Sequence, residues 1–78
     1  MLQKNTIYNR IKVFRVSYGW TREELAQLVG VNFQTIGYLE REEYNPSLEL
    51  ALKFSSVFQT PVENIFSFTP FAPNQINP

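Results

Sequence analysis

Thr21 to Glu40 read TREELAQLVGVNFQTIGYLE, a run that predicts two short helices separated by a turn tight enough to need glycine. Thr21 and Glu24 have the T-x-x-E spacing of a capping box, in which the hydroxyl accepts from the amide three residues on while the carboxylate reaches back. Leu25, Ala26 and Val29 then recur at helical spacing and make one apolar stripe. Gly30 follows the last of them, where a left-handed cap costs a residue without a Cβ very little. Val31 is expected as a buried hinge, Asn32 as the cap of the second helix, and Ile36 with Leu39 as that helix's inward side. Ala26 is small where the two helices must approach closely.

Outward from this pair, Ile7, Ile11, Phe14 and Tyr18 fall at i, i+4, i+7 and i+11, so a first helix is expected from between Thr6 and Asn9 to Gly19. Residues 1–6 are polar apart from Leu2 and read as a short strand or a loose arm. Trp20 belongs at the core or its edge, as large aromatics usually do. Ser47, after Pro46, is a good cap for a helix running to about Phe58. That helix is apolar over more than half its circumference: Leu48, Ala51, Leu52, Ser55 and Phe58 make one face, Leu50, Phe54 and Val57 another. It is either central in the monomer or covered on its second side by another subunit. Thr60, Pro61 and Glu63 supply cap, first-turn proline and acid for a short fifth helix from Pro61. Phe66 to Thr69 alternate as a strand stopped by Pro70, and a lone strand needs an edge, either the N-terminal arm or a second copy of itself. FAPNQINP, from Phe71, is an ordered stub followed by a loose tail.

Arg22, Leu25, Ala26, Gly30, Val31, Ile36 and Leu39 together resemble the helix-turn-helix of the Cro/C1 repressor family, also called the XRE family. KVFRVSYGWTREELAQLVGV, QTIGYLE, YNPSLELALKF and TPVENIFSF extend the likeness over about residues 7–70. The chain is most similar to the small, homodimeric, cytolysin-repressor-like members. The resemblance implies an all-α, five-helix, lambda-repressor-like DNA-binding domain over residues 1–70, with the helix-turn-helix at 21–40, a recognition helix at about 33–40 and a proline-containing tail at 71–78. It implies a short C-terminal strand at a dimer interface formed by Ile65, Phe66 and Phe68. It also pairs Arg15, which lies beside the first helix's stripe, with Glu40, which flanks Ile36 and Leu39; the alternative is that both charges face water.

Seventy-eight residues make one domain, short enough to need tight packing or a partner. Without cysteine there are no disulfides or thiolate ligands, and without histidine the commonest metal ligand and general base is missing. No nucleophile–base pair, phosphate-cradling glycine loop or metal cluster is present, so neither an enzyme nor a cofactor, metal or small-molecule ligand is expected. No run approaches the length of a membrane span and MLQKNTIYNR has no signal-peptide core, so a soluble, cytoplasmic protein without a membrane partner is expected. Net charge is zero, yet Lys4, Arg10, Lys12, Arg15 and Arg22 precede every acid, whereas residues 23–78 hold Arg41 and Lys53 against seven glutamates. That asymmetry can give the fold one positive face.

With Ile36 and Leu39 inward, the third helix presents Gln34, Tyr38 and Arg41, with Asn32 and Phe33 at its exposed start. Such a helix fits the major groove of double-stranded DNA. Gln34 suits an adenine edge, Thr35 a phosphate or thymine methyl, and Arg22 a phosphate beside a helix N-terminus. Gly37 is explained by close approach to DNA or to a neighbouring helix. Departures from the family are Arg22 for glutamine, Phe33 for arginine or a polar residue, and Glu42-Glu43 for glycine-lysine. Phe33 and Tyr38 touch thymine methyls and sugars, or else form a patch for a protein. The leading expectation is a sequence-specific transcriptional regulator, a repressor acting as a homodimer on a palindromic operator by occupying promoter DNA. The second is a protein-interaction module on the same scaffold, an antirepressor or assembly factor.

Overall fold

A computed structural model describes residues 6–72. The chain runs through β1 (Tyr8–Asn9), α1 (Ile11–Ser17), α2 (Arg22–Val29), α3 (Phe33–Glu40), α4 (Leu48–Phe58), α5 (Val62–Ile65) and β2 (Phe66–Ser67). Among the described residues five helices surround one core, and two strands pair antiparallel with Tyr8 opposite Ser67 and Asn9 opposite Phe66. The expected all-α, five-helix architecture with a C-terminal strand is therefore present.

The capping box forms with both halves in place: Glu24 N–H donates to Thr21 Oγ1 at 3.0 Å and Thr21 N–H to Glu24 Oε1 at 2.8 Å. Gly30 ends α2 at φ 78°, and its N–H and that of Val31 both donate to the Ala26 carbonyl. Asn32 caps α3 by accepting from Thr35 N–H at 2.9 Å, and Ser47 caps α4 by accepting from Leu50 N–H at 3.1 Å. α2 packs on α3 with Ala26 only 3% exposed between them. The core is Ile11, Phe14, Leu25, Ala26, Val29, Ile36, Leu39, Leu50, Phe54, Phe58 and Ile65, with Trp20, Val31, Val57 and Phe66 packed at its edge. Phe58 anchors an aromatic stack. Its ring lies 5.1 Å from Phe14 and 6.1 Å from Trp20, Trp20 stacks on Tyr18 at 4.6 Å, and Tyr18 Oη donates to the Phe58 carbonyl.

Several expectations change. α1 begins at Ile11, so Ile7 is not on it, and Tyr18 is its cap rather than its last turn. The reason is Asn9, whose Oδ1 accepts from Ile11 N–H (3.1 Å) while its Nδ2 donates to the Leu39 carbonyl (2.7 Å), fixing an extended backbone one residue earlier. The strand partner of β2 is thus Tyr8–Asn9 of the same chain; residues 1–5, read as strand or arm, lie outside the described residues. β2 stops at Ser67 because Ser67 Oγ accepts from Thr69 N–H and turns the chain. Pro61, not Thr60, caps α5, and the Thr60 hydroxyl instead accepts from Asn64 Nδ2. Of the two faces expected on α4, Leu50, Ala51, Phe54 and Phe58 are buried, whereas Leu48 and Leu52 are 76% and 54% exposed. Ile65, expected at a dimer interface, is wholly buried in its own core and has no surface to offer. Of the tail, Phe71 is described: its ring lies 4.7 Å from the Arg10 guanidinium, which also donates to the Asn64 carbonyl. Residues 73–78 lie outside the described residues.

Candidate nucleic-acid interface

α3 turns Ile36 and Leu39 fully into the core, so its opposite side is held rigidly outward. That side carries Phe33, Gln34, Tyr38 and Arg41, all exposed. With Arg22 from the first turn of α2, they line a shallow depression of about 200 Å³ floored by Gly37. Asn32 and Thr35 stand at its N-terminal end. Their side chains are partly committed, since Asn32 Oδ1 accepts from both the amide and the hydroxyl of Thr35.

A carboxylate behind this surface fixes its position. Glu40, with its side chain only 3% exposed, lies 2.7 Å from Arg15 Nε and 3.1 Å from Arg22 Nε. Arg15 also donates to the Trp20 carbonyl at 2.9 Å, so its buried guanidinium joins α1, the α1–α2 turn and α3. Arg15 was expected to meet Glu40; Arg22 was not. The sequence shows no link between Arg22 and Glu40, because only the crossing of α2 and α3 brings their side chains together. Arg22 remains 44% exposed, so its guanidinium is held by Glu40 on one edge and open to solvent on another.

The two glutamates after α3 have places of their own. Glu42 has φ 62°, in the left-handed region, and its N–H donates to Leu39 O while Glu43 N–H donates to Tyr38 O. This is a Schellman closure with glutamate where glycine is usual. The Glu42 carboxylate turns back to accept from Asn9 N–H at 3.2 Å, and Glu43 lies 3.3 Å from Arg41 Nε. Gly37 is buried, and what covers it is Arg41 rather than a neighbouring helix.

A family model described as Helix-turn-helix matches residues 11–65, from the first residue of α1 to the last of α5. The chain belongs to the XRE-type helix-turn-helix family. Curated relatives of this helix-turn-helix protein include an uncharacterized HTH-type transcriptional regulator of Archaeoglobus fulgidus, 52% identical over 59 residues that cover 76% of this chain and 84% of the relative. The uncharacterized HTH-type regulator YgzD of Bacillus subtilis is 40% identical over 58 residues, covering 74% and 88%. MJ0272 of Methanocaldococcus jannaschii, described in the same words, is 40% identical over 60 residues, covering 77% and 91%. In this helix-turn-helix protein α2 packs against α3, whose outer side is exposed. Among the described residues no helix is long and apolar enough to cross a membrane.

Proposed function

We propose that the protein is a sequence-specific DNA-binding transcriptional regulator, a repressor that occupies its operator as a homodimer and works where the cell's DNA is. The observation that carries this reading is the outer side of α3. A helix whose inner residues are fully buried presents an amide (Gln34), a guanidinium (Arg41) and two aromatic rings (Phe33 and Tyr38) on one side, flanked by the Arg22 guanidinium. Gln34 pairs with adenine at N6 and N7, Arg22 takes a phosphate, and Asn32, Phe33, Thr35 and Tyr38 complete the groove contacts. The family and the names of the relatives support the DNA-binding half. The reading takes residues 1–70 as the working unit and gives the tail from residue 71 no part in the groove.

The dimer is supported by apolar surface beside the β1–β2 pair. Phe68 is 68% exposed beside a groove lined by Ile7, Glu63, Phe66 and Ser67, and β2 pairs along one edge only among the described residues. A second copy joined there has to hold the two α3 helices about 34 Å apart, the spacing of successive major grooves. Selection of duplexes from a random library, followed by titration at two salt concentrations, tests the whole reading. A two-fold symmetric site whose affinity falls steeply with salt is expected, because phosphate contacts release counterions. Arg22→Ala and Gln34→Ala each abolish that binding.

A protein-interaction module on the same fold is the second reading, favoured by Phe33 and Tyr38, 47% and 51% exposed, beside an Arg41 whose charge Glu43 offsets. No enriched duplex even at low salt, and no effect of the Arg22 and Gln34 substitutions on a captured protein partner, would establish it instead.

A further inference from the structure

We infer that Gly37 sets base specificity through Arg41: the missing side chain lets the Arg41 guanidinium lie across the middle of α3 as a fixed reader of guanine beside the adenine taken by Gln34. The inference rests on the DNA-binding reading above. Gly37 and Arg41 are four residues apart, on one side of the helix. The Arg41 side chain folds back over that turn until Nη1 stands 3.2 Å from the point a Cβ on Gly37 would occupy. Its guanidinium carbon lies 5.1 Å from the Tyr38 ring centroid, and its Nε is 3.3 Å from a Glu43 oxygen. Glycine below, an aromatic ring on one face and a carboxylate on the Nε edge together favour this orientation of a half-exposed group.

Nη1 and Nη2 make no hydrogen bond among the described residues, so the outer pair of donors is free. Those two donors match the O6 and N7 acceptors that guanine presents in the major groove. An arginine just past the end of a groove helix would otherwise extend toward the phosphates, where it carries no sequence information. Folding back over Gly37 brings it beside Gln34, into the part of the helix that faces base edges. A Cβ at position 37 crowds Nη1, so the guanidinium must shift by a few tenths of an ångström from this place. The same geometry gives Glu43 a positioning role, which accounts for an acid so near a polyanion.

The test compares the full chain with Gly37→Ala and Arg41→Lys, each taken through duplex selection and through titration of the selected site with single base-pair replacements. For the unsubstituted protein, replacing one G·C pair beside an A·T pair is expected to weaken binding about tenfold, as a bidentate contact does. Both variants are expected to lose discrimination at that pair and keep it at the A·T pair, with Gly37→Ala melting at or above the parent because alanine favours helix. Unchanged discrimination in either variant overturns the inference. So does a uniform loss of affinity across all sequences in Arg41→Lys, which identifies a phosphate contact. If the parent selects no duplex at all, the DNA-binding reading itself falls, and this inference with it.

Discussion

Glu40 serves two arginines at once, and the unequal burial of the three side chains orders the cost of removing each. Arg15 is 11% exposed and Glu40 3%, whereas Arg22 is 44% exposed. Truncating one partner of a buried pair strands the other, at about 3–5 kcal/mol. Glu40→Ala strands Arg15 with only the Trp20 carbonyl and is expected to cost the most. Arg15→Ala leaves Glu40 with Arg22 and costs less, while Arg22→Ala costs under about 1 kcal/mol, as exposed ion pairs do. Urea melts of the three variants check the order, and an Arg15→Ala protein as stable as the parent would contradict it. Helix C-termini supply a second comparison. Gln59, at φ 55°, caps α4 in the left-handed region as Glu42 does after α3, and neither is glycine. Gln59→Gly is expected to stabilise by about 1 kcal/mol, because an L side chain is strained there. Glu42→Gly is expected to be near neutral, since relief of the same strain is offset by loss of the bond from Asn9 N–H. Equal gains in the two melting temperatures would show that this bond contributes nothing.

Elements with periodic signatures are legible in the sequence itself. Thr21, Glu24, Gly30, Asn32 and Ser47 announced the ends of α2, α3 and α4, because caps are local chemistry between residues three or four apart. β1 was not legible. Two residues cannot show a period, and Ile7 happens to extend the helical spacing of Ile11, Phe14 and Tyr18 backwards. What distinguishes strand from helix there is Asn9, whose side chain reaches Leu39, thirty positions away in the chain. The candidate site divides the same way. Its exposed residues followed from helical angle alone, but the Arg22–Glu40 link and the Arg41–Gly37 contact depend on how side chains fold over other elements, and Glu42 and Gln59 gave no sign of a left-handed cap. Asn9 also supplies the expectation for β1: Asn9→Ala removes both the bond to Leu39 O and the acceptor for Ile11 N–H. A loss of about 1–2 kcal/mol is expected, read from thermal melts, with the α1 amides exchanging faster than those of α3.

For the molecule as a unit, the aromatic stack on Phe58 sets the margin of stability. A domain of this size has about 4–12 kcal/mol in total, and replacing a buried phenylalanine by alanine removes about 3–5. Phe58→Ala is therefore expected to leave a large unfolded fraction at 37 °C. Trp20, the one tryptophan, reports it directly, since it stacks on Tyr18 and lies 6.1 Å from the Phe58 ring. In the parent, Trp20 fluorescence and far-ultraviolet dichroism should give one coincident transition, as a single cooperative core requires. The β1–β2 pairing bears on how such a chain is made. Tyr8 is among the first described residues to leave a ribosome and Ser67 among the last, yet each lies opposite the other in the sheet. During synthesis α2 and α3 are both complete well before β1 has an edge to join, and Asn9 must wait for Leu39 and then for Phe66. The β1–β2 seam is therefore closed only after α2 and α3 have already emerged.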